Sequence, residues 1–367
     1  MGRKEAIARS VVRAITRRRP TQGRSANRLG RILALFSAFF SLYQLPLHKI
    51  RPVEFQNIRS EHWNVNDDDY VAAFLNEERD GAALRAMGDM GFSGSTFFST
   101  WNQQYLVKSI PRHFEHSFFE NDLVEPYLAY MAQQPTSLLV RICEFLGCTD
   151  RALGRTLRMA PSHHIVMENI MYGSEKAEDG WEHWDLKPTS YFYPERDIAD
   201  GRLTSDATKD QLADEFHDKI VLSDKDAKAF VAALERDTKF LADHNAVDYS
   251  LFLVRIKSED PVAATEPGPS NTEGADAVPQ NPPSVPPLPP SWRTGVPSSD
   301  GKHIFRASIL DFFWAKHKIQ PMLMTLLIKT WDLITGHGPM SITTTPQEYR
   351  ERFLKMCLEM IEVKDDA

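Results

Sequence analysis

The chain has 367 residues, 42% of them hydrophobic and 25% charged, which is enough for one large or two small domains with a sizeable core. Its net charge of −7 is unevenly spread: residues 1–31 carry ten Lys/Arg against the single Glu5, leaving 33 basic and 49 acidic side chains for the rest. That acid excess argues against a general nucleic-acid binder, and only the N-terminal arm suits an anionic surface. Cys143, Cys148 and Cys357 form neither a metal-ligand spacing nor an even disulfide framework, which fits a reducing, cytoplasmic setting.

In the arm, 1–49, Ile7, Val11 and Ile15 recur every four residues, as do Arg9, Arg13 and Arg17, so the spacing predicts a short basic amphipathic helix. Such a helix lies on an anionic membrane or packs on a domain, and an Arg-rich, acid-poor start also fits a transit peptide. The apolar run 32–47 is short for a spanning helix, which needs roughly 20 residues. The expected placement is cytoplasmic and peripheral to a membrane.

Residues 64–69 are a polar acidic cluster able to start a helix. The stretch 91–110, GFSGSTFFSTWNQQYLVKSI, reads as a β-hairpin with Ser93, Gly94 and Ser95 at a bend where backbone amides can face an anion. Alternation puts Leu106, Lys108 and Ile110 on one face, so Lys108 either snorkels outward or is held for a charged partner. Residues 114–132 predict a helix broken near Pro126, with Glu115 in its first turn. The run 136–145 is a buried helix or strand, and 164–170 is a strand ending at Glu168 and Asn169.

WEHWDLK, 181–187, predicts a strand stopped by Pro188, with Asp185 and Lys187 on one face. Ser223 caps a helix, and 247–257, VDYSLFLVRIK, is a strand. Residues 258–301 hold eleven of the 23 prolines, including PPSVPPLPP, and predict a disordered, extended insert open to an SH3- or WW-type partner. Strand 303–310 ends at Asp311. If it pairs antiparallel with 247–257, Asp248 and Asp311 meet at one edge and the insert leaves from the other; the pair then binds Mg²⁺ or does base work, or each acid merely caps its strand. Thr345, Pro346 and Glu348 open the last helix. No P-loop, HRD loop, zinc spacing or nucleophile elbow occurs.

SGSTFF with YLVK, then VMENIMYG, WDLK, VDYSL, ILD and PQEYRERF, stand in the order found in the phosphatidylinositol phosphate kinases. The chain resembles that family over roughly three quarters of its length, with the flavour closest to the phosphatidylinositol 3-phosphate 5-kinase branch. The resemblance implies an α/β (α+β), two-lobed, protein-kinase-like fold with an antiparallel sheet in each lobe. The catalytic domain would cover 50–257 and 302–367 around the insert, use ATP and Mg²⁺, and phosphorylate a phosphoinositide headgroup at a membrane surface. Ser93, Gly94 and Ser95 would then cover the phosphates, Lys108 contact them, Glu115 orient Lys108, and Val166, Met167 and Glu168 line the adenine side. Asp185 and Lys187 match a loop associated with catalysis, Asp248 the catalytic acid, and Asp311 the metal-binding acid. The chain departs from the family at Pro188, where glycine is usual, at Val247 and Ala307, and after Asp311, where the usual lysine pair is reduced to Lys316 and Lys318.

Overall fold

The computed structural model describes residues 3–17, 47–75, 84–87, 95–148, 161–174, 180–188, 214–258, 291–315 and 345–364. The chain divides into two units, Met1–Pro135 with Val140–Gly173, and Thr136–Leu139 with Ser174–Ala367. Each has an antiparallel sheet with helices packed on it, as the α+β expectation requires.

The first unit is built on six strands: β1 (Leu47–Ile50), β2 (Leu84–Ala86), β3 (Phe97–Thr100), β4 (Tyr105–Ser109), β5 (Ile142–Cys148) and β6 (His163–Glu168). Their order is β1-β5-β6-β4-β3-β2, antiparallel throughout. The β3–β4 hairpin closes through Gln103, whose left-handed backbone (φ 57°) completes the reversal, while Thr100 Oγ1 accepts from the Tyr105 amide at 3.2 Å. Of the run 136–145, residues from Ile142 onward lie in β5 and no helix forms before them, which settles the helix-or-strand ambiguity in favour of a strand.

Helix α1 (Arg3–Thr16) has the expected stripe, but Ile7, Val11 and Ile15 are buried and the helix lies against β1 and β2. The sheet of the same chain supplies the apolar partner, so this stripe is not a membrane-facing surface. Arg9, Arg13 and Arg17 stay exposed. Among the described residues no helix is long and apolar enough to cross a membrane.

Helix α2 (Pro52–Asn57) runs into a π-helical turn, Ile58–His62, and α3 (Asp67–Ala72) is capped by Asn66, which accepts from the Asp68 and Asp69 amides. The helix expected over 114–132 is interrupted upstream of Pro126. Helix α4 (His113–Phe118) passes through a π-helical turn, Phe119–Leu123, into α5 (Val124–Gln133). Pro126 is thereby the third residue of α5, just past the π-helical turn.

Within β6, His164 is 1% exposed and both its ring nitrogens are buried without a hydrogen-bond partner. Burial pushes its pKa down to about 4, so it is neutral in the fold. An unsatisfied buried polar group costs about 1–3 kcal/mol. His164→Leu, of similar volume, is therefore expected to raise stability by about 1–2 kcal/mol in denaturant unfolding; destabilisation would mean the imidazole is satisfied.

The second unit has a sheet of β7 (Trp181–Leu186), β10 (Ser250–Lys257), β11 (Val296–Pro297) and β12 (His303–Leu310), in the order β11-β12-β10-β7. Helices α6 (Asp224–Asp243), capped by Ser223 Oγ on the Asp226 amide, and α7 (Pro346–Glu359), capped by Thr345 Oγ1 on the Glu348 amide, pack on each other in this unit. The Glu348 carboxylate goes forward to Arg352. Short strands β8 (Ile220–Leu222) and β14 (Ile361–Val363) pair in parallel.

The insert expected over 258–301 is folded at its C-terminal end. Trp292 stacks on Phe230 with centroids 3.9 Å apart, Arg293 donates to the carbonyls of Ser137 and Leu139, and Val296–Pro297 joins the sheet as β11. One buried indole and one guanidinium with two carbonyl acceptors offset the entropy of ordering this end. Residues 259–290, with PPSVPPLPP, lie outside the described residues, as do 18–46 and 316–344.

Candidate active site

In the first unit, Ser93 and Gly94 lie outside the described residues, whereas Ser95 is 4% exposed beside the start of β3. Lys108 pairs across the sheet with Phe97 and Ile165 and is 6% exposed, with Nζ 5.4 Å from the Phe97 ring centre. A lysine so covered is held inward and does not snorkel. Met167 shares its face through Ile165, while Val166 and Glu168 point to the other.

Glu168 is tied down on that other side. One carboxylate oxygen accepts from the Arg141 amide at 3.0 Å and its own amide donates to the Arg141 carbonyl at 3.0 Å. Its side chain thus braces the end of β6 against the lead into β5. Glu115, in the first turn of α4, has an ion pair with Arg112 at 3.4 Å.

In the second unit the expected β10–β12 pairing is present, with Ser250 opposite Leu310 and Lys257 opposite His303. The strand read over 247–257 is, however, broken. Strand β9 (Ala246–Val247) pairs with β13 (Trp314–Ala315), and the ladder resumes only at Ser250. The gap holds Asp248 on one strand and Asp311 on the other, both with left-handed backbones (φ 63° and 64°). Asp tolerates that region better than most residues, because its short side chain bonds locally. The turn lifts each acid out of the ladder in place of a capped strand end.

Lys187, just past β7, reaches into this break, with Nζ 3.0 Å from Asp248 Oδ1. Burial lowers its pKa, but the charges of Asp248, Asp311 and Asp185 outweigh that and hold it above the ordinary lysine value. The charges of Asp248, Asp311 and Asp185 thus all act on this one ammonium, which leaves its surroundings net-negative. Asp185 is placed by its own amide, which donates to Asp214 Oδ2 at 2.7 Å. Asp214 was not legible as part of this group, because it lies 29 residues away with no motif of its own. Pro188 is buried directly after Lys187.

Residues 79–360 match the family model described as Phosphatidylinositol-4-phosphate 5-Kinase. The chain belongs to that family. All the residues above fall in the matched range of this phosphatidylinositol-4-phosphate 5-kinase family member, and α1 falls outside it. The chain is 24% identical over 332 residues to mouse phosphatidylinositol 4-phosphate 5-kinase type-1 beta, covering 83% of this chain and 56% of the relative. It is 25% identical over 319 residues to a phosphatidylinositol 4-phosphate 5-kinase of Plasmodium falciparum, covering 83% of this chain and 18% of the relative. A probable phosphatidylinositol phosphate kinase of Dictyostelium discoideum is 27% identical over 192 residues, 52% of this chain and 25% of that protein. The family member described here therefore spans at most about half the length of these relatives. Two of the three carry 4-phosphate 5-kinase names, which does not support a nearer likeness to the 3-phosphate 5-kinase branch.

Proposed function

We propose that the chain transfers the γ-phosphate of ATP to a hydroxyl of a phosphorylated phosphatidylinositol headgroup at a membrane surface. The observation that carries this reading is the broken β-ladder, where two left-handed aspartates flank Lys187 within the matched family region. Backbone strain of that kind, about 1–3 kcal/mol per residue, persists where surrounding structure holds it and marks sites of function.

In this reading Asp248 orients the attacking hydroxyl and accepts its proton on Oδ2, since Oδ1 is engaged by Lys187. Lys187 stays charged and stabilises the negative charge that develops during transfer. Asp311 would hold Mg²⁺, which when bound supplies charge neutralisation at the phosphates. Lys108 with Ser93, Gly94 and Ser95 takes the nucleotide's phosphates, and Met167 its base. Membrane contact rests on the exposed Arg9, Arg13 and Arg17, with no apolar insertion by α1. The expected placement is cytoplasmic and peripheral.

A second reading, a binding module without transfer, is favoured by Pro188, which removes an amide and flexibility directly after Lys187. Vesicles of phosphatidylinositol, its 3-phosphate and its 4-phosphate incubated with γ-labelled ATP decide between the two. Label on a monophosphorylated lipid is expected, and the lipid labelled fixes whether the 4-phosphate named by the relatives or the 3-phosphate is the substrate. Retained vesicle or ATP binding with no labelled lipid leaves the binding module. A chain lacking 259–290 is expected to label lipid at the full rate; lost labelling would make the proline-rich segment part of the catalytic machinery instead of a partner-docking insert.

A further inference from the structure

Outside these residues, one cluster in the first unit has the chemistry of a transition-metal site. His116 and Glu120 fall at i and i+4 along α4 and its π-helical turn, hence on one side of it, with the exposed His113 one turn earlier. His163, the first residue of β6, meets that side. Its ring stacks on His116 with centroids 3.6 Å apart, and its Nε2 is 3.9 Å from Glu120 Oε2. Ligand atoms of His116, Glu120 and His163 all lie within 4.8 Å of one another. The two histidines are 8% and 5% exposed, and the Glu120 side chain 22%.

Two details set His163 up to bind an ion. Its Nδ1 is 2.8 Å from Ser162 Oγ, an outer partner able to accept the Nδ1 proton and so leave the Nε2 lone pair for a metal. Opposite it, β5 carries Gly147, where a Cβ would come within 3.2 Å of that same Nε2, so the strand keeps open the space beside the donor atom. The π-helical turn adds a third, since such turns recur at functional positions.

We infer that His116, Glu120 and His163 form a site for a first-row divalent cation of the Zn²⁺ class, which pins helix α4 to the sheet that carries Lys108. Two neutral imidazoles and a carboxylate make the three-ligand set of zinc sites with a fourth position left to water, and His113, 5.1 Å from His116 by ring centres, stands one turn away. Bonds of about 2.0–2.1 Å put tetrahedral ligands about 3.4 Å apart, so chelation draws the group together by roughly 1.4 Å. The partly exposed Glu120 supplies most of that closure, and His116 turns off the stack so that its nitrogen and His163 Nε2 converge. The cysteines Cys143, Cys148 and Cys357 are all buried and do not compete.

The test is Zn²⁺ titration of the full chain, stripped with EDTA, against a chromophoric chelator, with bound Co²⁺ read by its visible spectrum. One tight equivalent is expected. Glu120→Gln is expected to weaken it by at least about tenfold, and Ser162→Ala by about 10–100-fold. His116→Phe, which keeps the aromatic stack, should abolish it, and His62→Gln, at an exposed histidine elsewhere, should change nothing. A wild-type chain that takes up no Zn²⁺, or equal affinity in Glu120→Gln and wild type, overturns the site and leaves only a stacked histidine pair. Should His116→Phe fail to fold, Glu120→Gln at the site's exposed edge still decides. None of these readings depends on phosphate transfer.

Discussion

Asp311→Asn is expected to cut labelling of inositide vesicles by about 10²–10³-fold, the usual cost of removing one preorganised charge-stabilising group, while the protein remains folded. The substitution is chosen for the backbone. Asp311 sits at φ 64°, and asparagine is as much at home there as aspartate, whereas alanine would add left-handed strain to the loss of the carboxylate. Its amide cannot hold a hard cation as a charged oxygen does, and the negative field on Lys187 weakens with it. Because one of three mutually repelling acids is removed, the midpoint of thermal unfolding should hold or rise slightly. Full labelling by the variant would take Asp311 out of the metal set. An equal loss of activity and of folded protein would make it a structural residue.

The largest stability effect is expected in the first unit, at Arg59. This side chain, 1% exposed, donates to the Cys143 carbonyl and to Asp67 and lies 3.5 Å from the fully buried Glu144, which also meets Lys49 at 3.0 Å. Its guanidinium also covers the Tyr70 ring at 4.2 Å. Breaking a buried ion pair on one side costs about 3–5 kcal/mol, because the remaining charge stays buried. Arg59→Ala is expected to lose that much in denaturant unfolding at neutral pH.

The pH dependence gives the reason a separate signature. Burial raises the Glu144 pKa against the pull of Lys49 and Arg59, and losing Arg59 raises it further. A carboxyl whose folded pKa is raised contributes its stability below the unfolded pKa and loses it as pH rises through the folded value. The deficit of Arg59→Ala should therefore shrink as pH falls toward the carboxylate range. Arg59→Met combined with Glu144→Leu should recover most of it, since the pair then couples non-additively. A deficit that does not change with pH would point to lost packing on Tyr70 alone.

Local physics determined much of this protein from its sequence. Alternation placed Lys108 with Leu106 and Ile110 and fixed the β3–β4 hairpin, because a strand's side-chain period is two and needs no tertiary information. Side-chain capping located the starts of α6 and α7 at Ser223 and Thr345, since a cap is made within three residues of itself, and the acidic cluster 64–69 contains the start of α3. That Asp248 and Asp311 lie at the same end of the β10–β12 ladder followed from assuming one antiparallel pairing, and the motif order named the family.

Only the tertiary structure decided what depends on which surface lies opposite. The α1 stripe fits a membrane and a sheet equally well, and the presence of β1 and β2 settled it. Trp292 folds the end of the insert because Phe230 waits for it 62 residues earlier in the chain. The left-handed turns at Asp248 and Asp311 break a run that reads as continuous strand, since nothing in an alternating sequence records the sign of φ. His116, Glu120 and His163 were invisible as a group for a related reason. Helical spacing could place the first two on one face, but His163 reaches them only through the folding of β6 beside α4, and ligand sets assembled across such a distance carry no spacing signal.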